Sequence, residues 1–230
     1  MVSIFLKKFG YDCYTTENTI DESESCGKSD IDLRPFIPRQ TQMSPDLFGW
    51  KSRQQTTCYG ASIELLKYGG IKNGGKLGKK IELKNSYGFN DYSNVIQTAI
   101  EQNNSIIILD DGTKKAIEYL DQELEKGNPI LVGVRHTYKK IKKTKGFKYE
   151  QNHDKSTDHF VIIVGRGYEN EKRYFLFYEV GTSYSDKGQH DDNRLYINDN
   201  RSITGIPQHN LTRTYTLTQI RGNKTNGNFK

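Results

Sequence analysis

Apolar residues in the first half of the chain recur mainly at helical spacing. Thr57 is a candidate N-cap, and the stretch CYGASIELLKYGG after it predicts a mostly apolar helix that ends at Gly69-Gly70. DYSNVIQTAIEQ, residues 91–102, places its apolar residues on one face and predicts a second helix. DDGTKKAIEYLDQELEKG predicts a third helix that stops at Gly127, and SIIILD before it predicts a short strand.

The second half of the chain carries short apolar runs bounded by turn residues, which are typical of strands. Five segments have this pattern: PILVGVRHTY, HFVIIVGRGY, RYFLFYEVG, RLYIN and TRTYTLTQIR. Because helices come first and strands second, the order predicts an α+β fold with an antiparallel sheet, and not alternating βαβ units.

The segment before the first predicted helix has a different character. Residues 1–50 are largely polar and partly acidic with little periodicity, as in TTENTIDESESCGKSDIDLRPFIPRQ. We therefore predict an N-terminal arm over 1–50 and one large domain over 51–230. The arm would be poorly ordered or wrap the surface, and a pro-segment or a partner-docking element is the alternative.

The net charge of the chain restricts the possible binding partners only slightly. The net charge of +6 and the isoelectric point of about 9.0 favour anionic partners such as nucleic acid, cell wall or a membrane surface. The lysine cluster in YKKIKKTKGFK lacks the interleaved aromatics and arginines of a nucleic-acid reader, so a nucleic-acid partner is not expected, although a basic nucleic-acid binder stays an alternative.

The N-terminal sequence and the hydropathy bear on location. The chain has no apolar run long enough to span a bilayer, and MVSIFLKKFGYDC places its lysines in the wrong order for a secretory signal. The Lys/Asn/Ile-rich composition indicates a bacterium. We expect export by a specialised secretion system that needs no signal peptide, with a mature form or a cytoplasmic protein as the alternatives.

Three cysteines leave one candidate nucleophile. Cys13, Cys26 and Cys58 are odd in number and irregular in spacing, which argues against a disulfide framework and against a zinc site. A Cys13–Cys26 disulfide remains open and would leave Cys58 as the single free thiol. Cys58 precedes a predicted helix, where the helix dipole favours a thiolate, although small buried cysteines are also common in cores.

A thiolate nucleophile needs an imidazole partner, and His159 is the first candidate. His159 opens the apolar strand in STDHFVIIVG, where a side chain is held firmly and still faces a cleft; His136, at the end of another strand, is the second candidate. The remaining three lie in polar, loop-like sequence and are predicted to be surface residues: His153, His190 and His209.

The imidazole in turn needs an acceptor for its other N–H. Glu179 ends the next apolar strand, and a tight turn at GYENEK would bring it beside His159. A carboxylate after FLFY is otherwise costly to bury without a partner. Asp158 is the weaker alternative, because neighbouring side chains on a strand face opposite ways.

These segments resemble the papain-like cysteine peptidases. QQTTCYGASIELL, GNPILVGVRH, DHFVIIVGRGY and FLFYEVGT carry the resemblance, and they are most similar to bacterial bacteriocin-processing peptidases and related cell-wall amidases. The resemblance implies a papain-like fold with N-terminal helices packed on a C-terminal antiparallel sheet. It also implies Cys58 as nucleophile, His159 as base and acid, and Glu179 as the orienting residue, without a metal or organic cofactor.

The family also has a glutamine before the cysteine whose amide helps to hold the oxyanion. Gln54 is the preferred equivalent here and Gln55 the alternative. Both are closer to the cysteine than is usual, the cysteine is followed by Tyr-Gly, and a glutamate stands where aspartate or asparagine is commoner in the family.

The resemblance implies a hydrolase of amide or peptide bonds. We expect a peptidoglycan amidase or endopeptidase that acts as a toxin effector, because the basic charge suits an anionic wall. Such an effector would have a peptide or peptidoglycan substrate, with a cognate immunity protein or a secretion-system component as a further partner. The alternatives are a protein-directed cysteine protease or deamidase toxin, and a non-catalytic binding module on the same scaffold.

Overall fold

The computed structural model describes residues 30–39, 41–43, 57–66, 71–72, 76–77, 95–102, 105–138 and 156–223. The chain divides into two units, residues 1–30 and residues 31–230, and the described helices and strands belong to the second unit. In chain order the elements are β1 (Ile31–Asp32), a 3₁₀ helix (Arg34–Phe36), α1 (Cys58–Leu66), β2 (Ile71–Lys72), β3 (Lys76–Leu77), β4 (Val95–Gln97), β5 (Ala99–Gln102), β6 (Ser105–Ile108), α2 (Asp110–Glu125), β7 (Ile130–Tyr138), β8 (His159–Glu169), β9 (Lys172–Tyr178), α3 (Ser185–Gly188), β10 (Arg194–Ile197), β11 (Ile203–Gly205) and β12 (Arg213–Arg221).

Six antiparallel strands form a closed barrel in the order β8-β7-β12-β11-β10-β9, and the pairing of β8 with β9 closes it. Two further strands add to the barrel, since β1 pairs with β8 and β4 pairs with β12. The short strands β2–β3 and β5–β6 form two separate hairpins. Closure leaves few free strand edges among the described residues, because most backbone groups find a partner in a neighbouring strand.

Strand β8 is the most buried strand of the barrel, because both of its faces are covered. Its first nine residues, HFVIIVGRG, are all buried. On one side Phe160 packs edge-on against Tyr59 of α1, with ring centroids 4.9 Å apart. A strand covered on both faces reads as a continuous apolar run, and this explains the HFVIIVG sequence.

Helix α2 packs on the barrel through an apolar stripe and one buried charge cluster. Ala116, Leu120 and Leu124 are buried in the core, at the spacing of one helical face. Asp121 on the same helix accepts a 2.8 Å hydrogen bond from Arg166 and a hydrogen bond from Arg173. Gly127 has a φ of 75°, the left-handed conformation with which helices commonly end.

The structure overturns the predicted fold class. An α+β, papain-like arrangement of N-terminal helices packed on a C-terminal sheet was expected. The described residues instead form a mostly β structure, with a closed six-stranded antiparallel barrel, additional strands and only three α-helices. The strand pattern alone does not distinguish an open sheet from a barrel, because closure depends on which edges pair.

One predicted helix is also wrong. Residues 91–94 lie outside the described residues, and the rest of the 91–102 segment forms β4 and β5. β4 pairs with β12, as in Gln97 opposite Gln219, whereas β5 forms a hairpin with β6. Between them the Thr98 N–H donates to the Thr218 carbonyl at 2.8 Å. Strand pairing, with the distant β12 for β4 and with the adjacent β6 for β5, therefore overrides the helical spacing of the apolar residues.

The remaining predicted elements are confirmed within the described residues. Helices begin at Cys58 and Asp110, and the six predicted strands correspond to β6, β7, β8, β9, β10 and β12. The predicted end of the first helix at Gly69-Gly70 lies outside the described residues. From the expected arm, Leu33 and Ile37 are buried in the core and β1 pairs with β8 of the barrel.

Candidate active site

Cys58 is the first residue of α1, directly after the residue that caps the helix. The Gly60 N–H donates to the Thr57 hydroxyl at 3.0 Å, and the Ala61 N–H donates to the Thr57 carbonyl at 2.8 Å. Backbone N–H groups in a first helical turn have no acceptor within the helix. Cys58, which is partly exposed, therefore stands at the positive end of α1.

A single β-hairpin supplies the other two predicted residues. His159 begins β8 and Glu179 directly follows β9, so the antiparallel pairing of the two strands places them side by side. The turn between the strands uses Asn170 and Glu171, both with positive φ. His159 Nε2 lies 2.8 Å from Glu179 Oε1, and the two residues are only 7% and 0% exposed.

The Glu179 carboxylate has donors for both of its oxygens. Oε1 accepts from His159 Nε2 and from the Gly181 N–H, whereas Oε2 accepts from the Tyr215 hydroxyl at 2.8 Å. His209 Nδ1 lies 3.9 Å from Oε2. Glutamate at this position is thus buried as a fully hydrogen-bonded anion, which satisfies the requirement for burying a charge.

The thiol is placed to ionise. Cys58 hydrogen-bonds to His159 and also receives the backbone N–H of Phe160. Burial on its own would raise the pKa of the Cys58 thiol. The positive charge of His159 and these two hydrogen bonds outweigh burial and lower the pKa below its ordinary value. Because Nε2 faces Glu179, Nδ1 is the ring nitrogen left for the sulfur.

The histidine and the glutamate stabilise each other's charged forms. Burial disfavours the His159 imidazolium, but the Glu179 carboxylate and the Cys58 thiolate raise the pKa of His159 well above its ordinary value. Burial would likewise raise the pKa of Glu179, yet the facing His159 charge and the hydrogen bonds from His159 and Tyr215 lower it to about 2. The site therefore favours a thiolate, an imidazolium and a carboxylate in contact.

The two alternative residues take different places. His136 stacks on Tyr215 with centroids 4.8 Å apart and lies 4.9 Å from the His159 ring. Burial, followed by the charges of His159 and Arg213, lowers the pKa of His136 to about 2, so this ring is neutral. Asp158 Oδ1 accepts the His136 backbone N–H at 2.9 Å, and the His159 ring is held by Glu179 instead.

Several predicted features lie outside the described residues. These are Gln54, Gln55, Cys13, Cys26, His153 and most of the lysine cluster of residues 138–148. Within the described part of the chain, no group of three or more His, Cys, Asp or Glu side chains is arranged to hold a metal ion. The helices in that same part are too short or too polar to cross a membrane.

Three contacts of Glu179 were missed from the sequence. For Tyr215 the sequence signals burial but not the contact with Glu179, since alternation in TYTLTQ places Tyr215 and Leu217 on one buried face of β12. His209 was predicted to be a surface residue, but its side chain is only 11% exposed and lies near Glu179. For Gly181, no local pattern signals that a Cβ there would lie 2.8 Å from Glu179 Oε1.

No protein-family model matches the chain, and a search of curated proteins returns no match. The chemistry of the site is therefore derived from its geometry and charge.

Proposed function

We propose that this chain is a thiol hydrolase that cleaves an amide or peptide bond through Cys58, His159 and Glu179. One observation carries the proposal. Residues from two distant parts of the chain meet so that the Cys58 thiol hydrogen-bonds to the His159 imidazole, which in turn hydrogen-bonds to the buried Glu179 carboxylate. A thiol whose pKa is lowered by an imidazole that a third group orients is the arrangement that nucleophilic catalysis requires.

The reaction would proceed through a thioester. The Cys58 thiolate attacks the carbonyl carbon, a C–S bond forms, and the carbonyl π electrons move to the oxygen. His159 donates its Nδ1 proton to the amide nitrogen as the C–N bond breaks and the amine leaves. His159 then accepts a proton from water, the hydroxide adds to the thioester carbon, and the C–S bond breaks to release the acid and the thiolate.

Charge develops on the carbonyl oxygen at the start of α1. The Cys58 backbone N–H lies in the first turn of that helix, where the helix dipole also favours a negative charge. A donor of this kind is worth about 2.7–4 kcal/mol in the barrier of related reactions. Gln54 remains the proposed second donor.

The decisive test uses Cys58 itself. Iodoacetamide at pH 6 should label Cys58 far faster than Cys13 or Cys26, and Cys58→Ala should abolish turnover of an amide substrate. Tryptic peptide mass spectrometry reports the labelling of each cysteine. Equal and slow labelling of all three, rising only near the free-thiol pKa of about 8.5, contradicts the proposal.

For the substrate, we propose the peptide part of peptidoglycan, on the ground that the net charge of +6 suits an anionic wall. Purified sacculi should release stem-peptide fragments with the wild type and none with Cys58→Ala. If sacculi stay intact and casein is cleaved, the substrate is a protein and not peptidoglycan. A gain of about one mass unit per glutamine, without cleavage, would indicate deamidation.

A further inference from the structure

Tyr215 contacts the Glu179 carboxylate on the oxygen that His159 does not use. Tyr215 lies on β12 and is fully buried, and its hydroxyl donates to Glu179 Oε2 at 2.8 Å. Oε1 accepts from His159 Nε2 at the same distance. Since each oxygen has its own side-chain donor, the two hydrogen bonds together fix the plane of the carboxylate.

The barrel holds the Tyr215 ring from two sides. Tyr215 is paired in register with His136 of β7, and the two rings stack nearly parallel, 14° apart in orientation. Phe177 of β9 lies 5.7 Å away between ring centroids. The position of the hydroxyl is therefore set by three strands of the barrel and does not depend on Glu179 alone.

We propose that Tyr215 is a positioning residue that acts through Glu179, a role that rests on the proposed thiol hydrolase function. Its hydroxyl holds the carboxylate in the orientation that presents Oε1 to His159, and His159 in turn presents its other nitrogen to Cys58. The Tyr215 ring also lies near the His159 ring, with centroids 5.7 Å apart, and Tyr215→Phe keeps this ring contact while it removes the hydroxyl.

Removal of the hydroxyl has a defined structural consequence. Oε2 would lose its donor while still buried, and a buried anion seeks another partner. The ring of His209 offers one, since its Nδ1 lies 3.9 Å from Oε2 and has no hydrogen-bond partner among the described residues. A carboxylate that turns toward His209 draws Oε1 away from His159, and the imidazole then loses its fixed direction toward the sulfur.

The first experiment compares Tyr215→Phe with the wild type. The rate of Cys58 alkylation by iodoacetamide at pH 6 and kcat should each fall about tenfold to a hundredfold, as expected for losing a hydrogen bond to a charged group. KM should stay within about twofold, because substrate binding is not touched. Circular dichroism verifies that the variant is folded.

The matched control is Tyr196→Phe. It also removes a tyrosine hydroxyl from a glutamate, because Tyr196 donates to Glu169 Oε2 at 2.6 Å. Glu169 ends β8, at the opposite end of the strand from His159. This control should leave Cys58 alkylation and kcat unchanged. An equal loss in both tyrosine variants would overturn the positioning role.

A second comparison separates positioning from core packing and does not need the single variant to fold. Tyr215→Phe is introduced into Glu179→Gln, where both partners of the hydrogen bond are altered together and no buried carboxylate is left unpaired. If Tyr215 acts through Glu179, the alkylation rate equals that of Glu179→Gln alone. A further loss of more than about threefold refutes the role.

These measurements also separate this proposal from the one it rests on. A wild type whose Cys58 is not labelled at pH 6 overturns the hydrolase function and the role of Tyr215 together. A wild type that reacts and turns over normally, with Tyr215→Phe equal to it, overturns only the role of Tyr215.

Discussion

Gly181 lies against the His159–Glu179 pair, and Gly181→Ala is expected to disturb that pair directly. A Cβ at this position would lie 2.8 Å from Glu179 Oε1, 3.0 Å from His159 Cε1 and 3.4 Å from His159 Nε2. Carbon contacts are ordinarily about 3.5–4.0 Å, so the added methyl group needs several tenths of an ångström of room. The φ of Gly181 is not positive, so the effect is steric and not a matter of backbone strain.

The size of the effect follows from what must move. Glu179 is held by Tyr215 and cannot retreat freely, so the methyl group is accommodated by parting the carboxylate from the imidazole. Overpacking of a buried site costs about 1–3 kcal/mol, which corresponds to a factor of roughly 5 to 150. Misplacement of a catalytic group by about 1 Å has effects of the same order on rate.

The assay measures kcat and the alkylation rate of Cys58 at pH 6 beside thermal unfolding. We expect both rates to fall by a factor of roughly 5 to 150, with a modest loss of stability. Ala116→Gly is the matched control, because Ala116 is fully buried in α2, which carries none of the three site residues, and the change costs about 1 kcal/mol. If Gly181→Ala reacts within twofold of the wild type, or if Ala116→Gly slows Cys58 equally, the steric reasoning is wrong.

Three further predictions follow from the same contacts. The pKa of Glu179 is about 2 when folded and ordinarily about 4.5, so its contribution of about 3 kcal/mol to folding stability is present above pH 4.5 and is lost as the pH falls toward 2. In urea unfolding, the difference in stability between the wild type and Glu179→Gln should therefore become smaller over that pH range. The pKa of His136 is about 2 when folded and ordinarily 6.5, so below pH 6.5 the unfolded chain takes up a proton that the folded protein does not. The wild type should therefore lose about 2 kcal/mol of stability between pH 7 and pH 5 that His136→Phe does not lose. If the pH dependence of the unfolding free energy is the same in both proteins, this prediction is wrong. Thr57→Ala removes the acceptor for the Gly60 N–H and should cost about 1 kcal/mol in thermal unfolding, whereas Thr57→Ser should cost much less, and equal stabilities would exclude the cap.

The sequence was informative where one local rule determines the outcome. Thr57 caps α1 because a hydroxyl before a helix accepts a first-turn N–H, and Gly127 ends α2 because it adopts a positive φ. The turn at Asn170 and Glu171 folds β9 back on β8, and the register shift between Ile163 and Gly165 puts Glu179 on the same face as His159. Sequence spacing and the cost of burying a carboxylate were sufficient to predict that pair.

The sequence was uninformative where partners come from distant strands. Val95 and Ile96 fit a helical face and a strand equally well, and pairing with β12 decides in favour of the strand. Barrel closure has the same origin, since β9 pairs with both β8 and β10. Tyr215 and His209 approach Glu179 from later parts of the chain, at and just before β12, so no spacing rule could bring them to the site.

The division of the site between a hairpin and a distant helix has a consequence for how the protein assembles. His159 and Glu179 belong to one hairpin, so their pairing closes only a short loop. Cys58 lies about a hundred residues before His159, and the longer loop that brings them together has a larger entropic cost. The two charged partners of the thiol should therefore be in place early during refolding, and the sulfur should be activated only when α1 docks. Pulsed alkylation of Cys58 at pH 6 would then report when α1 docks on the barrel during refolding, after the His159–Glu179 hairpin has formed.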